Sequence, residues 1–395
     1  MEKIKYIDNK IENGIKIDWK KVIKRCKALG VPENVVTPFD YPFDRAKYFS
    51  VISERSIGKT TNWILLGMVL NDMYGIIIQY IRQIVDMIMP KNSKKLFKTI
   101  LEYDYIEQIT DGRYNSVKYS SRGFYYYNTE TKEMAVEEFM HLLSIDEALT
   151  YKSVYNAPRG DLIIFDEFIS KYTRPDEFID FEDLVKTIIR DRYSPIVALL
   201  ANTIDPYNIY FKEMEIYDEV QTLKAGESRL ITTDKGTKIF IHRPIDGKDV
   251  IVKEKHNNMF FGFKNKKLAS ITGAGDWAIS SYPHVPKGKK VRIIDNAHYV
   301  DFNGHFIKLQ VSYIEDVGKT VVVHECKMTL DDIPKDAVIY TTGDIPNKHF
   351  RYCFGHTKVD AIIWQLYRMN RFYYVHNMLG EQVSQYVRTA NQVRR

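Results

Sequence analysis

Four short segments constrain this chain more than anything else in it. YFSVIS (residues 48–53), IIIQYI (76–81), LIIF (162–165) and IVALL (196–200) are apolar almost without interruption. A strand with one wet face alternates apolar and polar residues, so unbroken runs predict strands covered on both faces, as in a parallel sheet with helices above and below. Helical patterns lie between them. Residues 59–71 carry Trp63, Ile64, Leu65, Met68 and Leu70, and Phe181, Leu184, Val185, Ile188 and Ile189 fall on one helical stripe that ends near Arg190-Asp191-Arg192. The first 210 residues therefore read as a doubly wound α/β domain.

The pattern changes elsewhere. A Tyr-rich stretch (Phe124, Tyr125, Tyr126, Tyr127) reads as an inserted hairpin, followed by a helical segment over about 134–143. After residue 225, short segments separated by glycines and charges lead to Lys287-Gly288-Lys289-Lys290, the composition of a linker or lid. From Val291 hairpins follow, with turns near Asn303-Gly304 and Val317-Gly318, then a helical tail over 359–387. The expected organisation is an α/β domain over 1–225 with a basic leader, a linker or lid over 226–290, and a smaller α+β domain over 291–395.

With 395 residues, 45% of them hydrophobic, the chain can build more than one core. Its 57 Lys+Arg against 51 Asp+Glu give a mild positive balance suited to polyanions. Residues 1–27 concentrate it, with nine basic residues against four acids. Three cysteines cannot form a disulfide framework, which predicts an intracellular protein. The longest apolar stretch, residues 63–70, falls short of the roughly 20 residues a membrane span needs, and the first 21 residues lack a signal-peptide core. No membrane partner is expected.

Between YFSVIS and the next helix stands Ser53-Glu54-Arg55-Ser56-Ile57-Gly58-Lys59-Thr60, which matches GxxxxGK[ST] except that Ser53 replaces the first glycine. The chemistry needs a tight loop whose N–H groups surround phosphates at a helix N-terminus, a lysine to pair with them and a hydroxyl to hold Mg²⁺. Gly58, Lys59 and Thr60 supply these parts, with Ser53, Arg55, Ser56, Ile57 and Thr61 completing the nucleotide-binding set. About a hundred residues on, DLIIFDEF delivers Asp166 and Glu167 to a strand's carboxyl end, where α/β sheets bind ligands. Asp166 suits the Mg²⁺ and Glu167 the attacking water, so ATP and Mg²⁺ are the expected cofactors. Asn202, closing IVALLAN, is placed to sense the γ-phosphate, although a turn cap reads the same way. Arg190 and Arg192 could reach a neighbour's nucleotide in trans, or simply favour a helix C-terminus. Arg82 and Lys152 are further cationic candidates.

SERSIGKT (53–60), FDEFI (165–169), IIRDR (188–192) and LANTIDPY (200–207), in that order, resemble the genome-packaging ATPases of small protein-primed podophages, relatives of terminase large subunits. The resemblance covers about residues 48–210. It implies an additional-strand P-loop ATPase that forms a homo-oligomeric ring, a pentamer, docks in the host cytoplasm on the portal of a viral procapsid, and drives double-stranded DNA inward. It makes Lys59 and Thr60 the phosphate and Mg²⁺ ligands, Asp166 the Mg²⁺ carboxylate, Glu167 the catalytic carboxylate and Arg190 the trans-acting finger. The family has glycine where this chain has Ser53 and Ser56. It also implies an RNase H-like C-terminal domain, and because Asp295, Asp301, Glu315, Asp316, Glu325 and Asp360 match no nuclease motif, that domain is expected to be a scaffold without catalysis.

Two readings compete with the motor. A P-loop kinase would have to exclude water, for which the Asp166-Glu167 pair is ill suited, and a structural ring or adaptor with a decayed loop rests on Ser53 alone. His324, Cys326, His349, Cys353 and His356 hold enough nitrogen and sulfur for zinc, but at unfamiliar spacings. Arg368, Arg371, Arg388, Arg394 and Arg395 interleave with tyrosines, as a nucleic-acid surface or as the wet side of a helix.

Overall fold

The computed structural model describes residues 16–33, 35–53, 58–155, 160–169, 174, 176–190, 195–202, 208–244, 281–302, 305–343, 345–352 and 358–393. The fold is mixed α/β, with one large sheet rich in parallel pairs and a second, smaller sheet. The chain divides into two compact units, the described residues of the first coming from Met1–Ser170, Asp176–Thr203 and Asp218–Asn258, those of the second from Lys171–Pro175, Ile204–Tyr217 and Met259–Arg395.

In the first unit the apolar runs become strands β1 (Tyr48–Ser53), β2 (Ile78–Arg82), β6 (Leu162–Asp166) and β7 (Ile196–Asn202). The sheet also takes up β3 (Ser116–Ser120), β4 (Gly123–Tyr127), β5 (Met140–Ser144), β8 (Ser228–Thr232) and β9 (Lys238–His242), in the order β3-β4-β5-β2-β6-β7-β1-β9-β8. From β5 to β9 every neighbouring pair is parallel. Strand β7 therefore stands between β1, which leads into the phosphate-type loop, and β6, which ends in the carboxylates.

Helix α1 (Trp19–Ala28) lays Val22 and Cys26 on the core, where Trp19 stacks on Phe43 with ring centres 4.3 Å apart. Helix α2 (Lys59–Tyr74) is buried along nearly its whole first half and beyond, from Trp63 to Leu70, as expected of a helix that is apolar all round. Gly67 is what lets it lie against the sheet, since a Cβ there would come within 2.5 Å of Ile78 and 2.9 Å of Leu162.

Three expectations are corrected. Residues 134–143 do not form a helix; β5 instead pairs in parallel with β2, and sheet pairing outweighs local propensity. The stretch from 226 does not begin as a linker, because β8 and β9 form an antiparallel hairpin whose β9 extends the sheet beside β1. The remainder, 245–280, lies outside the described residues. The tail is not one helix: Lys358–Arg368 ends at Asn370, whose φ is 54°, and β15 (Phe372–Tyr374) intervenes before the helix Asn377–Val393. Its aromatic run suits a strand and pairs with Val321–Val323. The Tyr-rich hairpin forms as expected, as β3 and β4.

The second unit is a six-stranded sheet. Strands β10 (Val291–Phe302), β11 (His305–Ile314) and β12 (Gly318–Cys326) form an antiparallel meander, with β13 (Ile339–Thr341) and β14 (Phe350–Arg351) added in parallel beyond β10 and β15 in parallel beyond β12. The predicted turn at Asn303-Gly304 lies outside the described residues.

A half-buried pair in the first unit sets a pH dependence. The Tyr41 hydroxyl and His242 Nδ1 are 2.7 Å apart, and burial pushes the imidazole down to about 4 from its ordinary 6.5. Between those values the unfolded chain binds a proton that the folded chain refuses, so stability falls as pH drops from 6.5 towards 4. Thermal unfolding followed at pH 7 and pH 4.5 is expected to show a loss on the order of 2 kcal/mol, part of the ring remaining in water, that a His242→Phe variant lacks.

Candidate active site

The parallel strands all present their carboxyl ends to one edge of the large sheet. Register places Ser53 beside Asn202, Leu200 beside Asp166 and Phe165 beside Ile81, so β1, β7, β6 and β2 deliver Ser53, Asn202, Asp166 and Arg82 to the same edge. Gly58 caps α2 with φ +81°, and a Cβ there would press on Val35 at 3.0 Å and Asn62 at 3.1 Å. Only glycine meets both demands. The first turn of α2 carries no acid, so the positive end of the helix dipole keeps its potential for an anion.

Lys59 is buried and its Nζ donates to Asn202 Oδ1 at 2.9 Å. Thr60 Oγ1 donates to Asp166 Oδ1 at 2.9 Å. Asp166 is only 4% exposed, and its other oxygen accepts from Tyr80 at 2.6 Å and from Arg82 Nη1 at 2.9 Å. A carboxylate so buried is tolerable because three donors replace its water. The second Arg82 nitrogen donates to Glu167 Oε2 at 2.6 Å, so one guanidinium spans both carboxylates. Glu167 holds a left-handed backbone, φ 56°, immediately past β6. A non-glycine residue there is strained, and such strain gathers at functional sites. Burial opposes the charge of Arg82, but Tyr80, Asp166 and Glu167 hold its proton above the ordinary guanidinium range. Burial and the neighbouring Asp166 push the Tyr80 hydroxyl well up, which keeps it a donor.

The structure thus brings Ser53, Gly58, Lys59, Thr60, Asp166, Glu167 and Asn202 together, with Thr61 in the first turn of α2. Arg55, Ser56 and Ile57 lie outside the described residues. Arg190 is not among the group. It follows the helix Glu177–Ile189, whose start meets Gln83 just past β2 through a 3.2 Å hydrogen bond to Glu177. Thirteen helical residues span about 20 Å, and β7 then begins opposite Leu162, at the far edge of the sheet. There Arg190 donates to the Tyr155 carbonyl at 2.8 Å. Arg192 lies outside the described residues, and Lys152 is a surface cation paired with Asp183 at 2.6 Å.

Arg82 was one cation among several in the sequence, and Tyr80 carried no signal beyond an apolar strand. Their role depends on β2 lying next to β6, which no local pattern states. In the second unit Asp295, Glu315, Asp316 and Glu325 are exposed, and Asp316 pairs with Lys289. Among the described residues no three His, Cys, Asp or Glu side chains gather to hold a metal, and Cys353 and His356 lie outside them. Also among the described residues, no helix is long and apolar enough to cross a membrane.

Fold and site define a mixed α/β protein in which a helix N-terminus carrying Lys59 and Thr60 meets a pair of strand-end carboxylates at one edge of a parallel-rich sheet. No family model and no curated protein matches the chain by sequence. Among solved structures it is similar to the phi-28 gp11 DNA packaging motor, at 16% identity and TM-score 0.54, over 91% of this chain and 98% of that one. It is likewise similar to the bacteriophage phi-29 viral genome packaging motor assembly, at 16% identity and TM-score 0.58, over 91% of this chain and all of that one. At this identity the likeness shows a shared fold.

Proposed function

We propose that the chain is the ATPase of a viral double-stranded DNA packaging motor, working in the host cytoplasm as a homo-oligomeric, pentameric ring docked on the portal of a procapsid. The observation that carries it is the convergence of Lys59 and Thr60 with Asp166 and Glu167 at one sheet edge. The fold shared with packaging motors over nine-tenths of the chain supports the motor reading.

The α2 N-terminus and Lys59 bind the β- and γ-phosphates of ATP. Thr60 and Asp166, a hydroxyl and a carboxylate 2.9 Å apart, are a hard-oxygen pair that fits Mg²⁺, which offsets phosphate charge when bound. Glu167 orients the attacking water and accepts its proton as the bond to the leaving β-phosphate oxygen breaks. Arg82 donates to Glu167 at 2.6 Å, so catalysis by Glu167 requires that contact to open. Asn202, already on Lys59, reports the state of the γ-phosphate to β7. Arg190, at the far end of a helix about 20 Å long whose start meets Gln83, serves a neighbouring subunit's site. The second unit is an RNase H-like scaffold without catalysis, a reading supported by its strand order, a three-stranded meander with two parallel strands added beyond the first.

Nucleotide binding tests the foundation. Lys59→Ala removes a buried charge-assisted contact and is expected to weaken ATP binding about 10- to 100-fold and to abolish turnover, as read by calorimetry and phosphate release. A wild-type protein that binds no ATP would overturn the proposal.

A further inference from the structure

The strained backbone of Glu167, φ 56°, persists only because its surroundings fix it from several sides. Phe168, the next residue, has both of its backbone groups engaged. Its N–H donates to the Leu200 carbonyl on β7 at 3.2 Å, its carbonyl accepts from the Gln83 side-chain amide at 3.2 Å, and its ring is wholly buried near Phe165. Gln83 stands one residue past β2 and is itself anchored. Its backbone carbonyl accepts from the Asp146 N–H at 3.1 Å. Its amide nitrogen donates a second time, at 3.2 Å, to Oε1 of Glu177, a residue only 4% exposed at the start of the helix Glu177–Ile189. An amide nitrogen has two hydrogens and both partners are oxygens, so each hydrogen has one acceptor and the direction of the amide is fixed.

Glutamine is mostly a surface residue, yet this one is turned inward to join a strand end, the turn that carries Glu167 and the start of a helix. Arg82 also holds Glu167, at 2.6 Å, but that contact has to open before the carboxylate can take a proton from water. From then on the direction of Glu167 is set by its backbone, which Leu200 and Gln83 hold through the two polar groups of Phe168. We propose that Gln83 is a positioning residue for the catalytic carboxylate. It acts through the Phe168 carbonyl, not on nucleotide or water, and keeps Glu167 in the turn from which it meets the attacking water. Ground-state binding rests on Lys59 and the α2 N-terminus, so losing this hold costs rate and spares affinity. The inference deepens the ATPase reading of the site and rests on it.

The test is steady-state phosphate release by the full-length protein over an ATP series, with ATP binding followed by calorimetry and folding by thermal unfolding. Gln83→Met keeps the length of the side chain and removes both donors. Gln83→Asn keeps the amide but falls one methylene short, and it serves where the methionine protein does not fold. Either should lower kcat about 10-fold, with KM for ATP and ATP affinity unchanged. In a Glu167→Gln background, Gln83→Met should lower the residual turnover no further, because the carboxylate it positions is gone. Wild-type kcat in both Gln83 variants, a loss carried by KM alone, the same fold-loss with and without Glu167, or loss of ATP binding in both variants would overturn the inference. A wild-type protein that binds ATP and never releases phosphate would instead overturn the ATPase reading, and this inference with it.

Discussion

Turnover in the assembled protein is expected to fall about 10³- to 10⁵-fold in Arg190→Ala, the range for removing an arginine that neutralises transition-state charge, while ATP binding stays unchanged. The substitution is mild for folding, because Arg190 is exposed, and its hydrogen bond to the Tyr155 carbonyl is a surface contact. Its left-handed backbone, φ 46°, already carries a Cβ, so alanine adds no new strain. What separates a trans role from a structural one is mixing. Arg190→Ala combined with a protein defective in Glu167 restores some sites that have both an intact Glu167 and a neighbour's Arg190. Phosphate release should rise above that of either variant alone, and should rise with protein concentration in wild type. A mixture no more active than its parts would remove Arg190 from the mechanism.

The second large effect belongs to Glu167→Gln, for which steady-state turnover should drop about 10²- to 10⁴-fold with ATP still bound. Glutamine keeps the shape but cannot accept the proton of water. It also weakens the charge-assisted 2.6 Å contact with Arg82, so the loss cannot come from a tighter hold on the side chain. A Glu167→Gln protein that hydrolyses ATP like wild type would move the general base elsewhere and dismantle the assignment of this edge as an ATPase site.

Much of this site was readable in advance. The four apolar runs became neighbouring parallel strands, and Gly58, Lys59 and Thr60 stand at a helix N-terminus beside Asp166. Each of these signals is local: a burial pattern with no polar beat, a glycine where φ must be positive, a carboxylate at a strand end. Asn202 was ambiguous between a cap and a sensor in the sequence, and only the fold puts its amide oxygen on Lys59. Elements that failed were those whose state is set by neighbours. Residues 134–143 could pass for a helix until β2 offered a parallel edge, and the glycine-separated segment after 225 looked like a linker until β9 found β1.

By itself, then, the sequence determined the α/β class of the first domain and the order along the chain of its glycine-lysine loop and its strand-end carboxylates, because periodicity and turn chemistry act within a few residues. The tertiary structure alone decided that Arg82 spans both carboxylates from 84 and 85 residues away. It alone decided that Arg190 stands at the opposite edge of the sheet from its own chain's Asp166 and Glu167. The physical reason is that strand pairing brings together backbone groups distant in the chain, and a hydrogen bond between strand ends depends on which strands become neighbours, a choice made by the packing of the whole sheet.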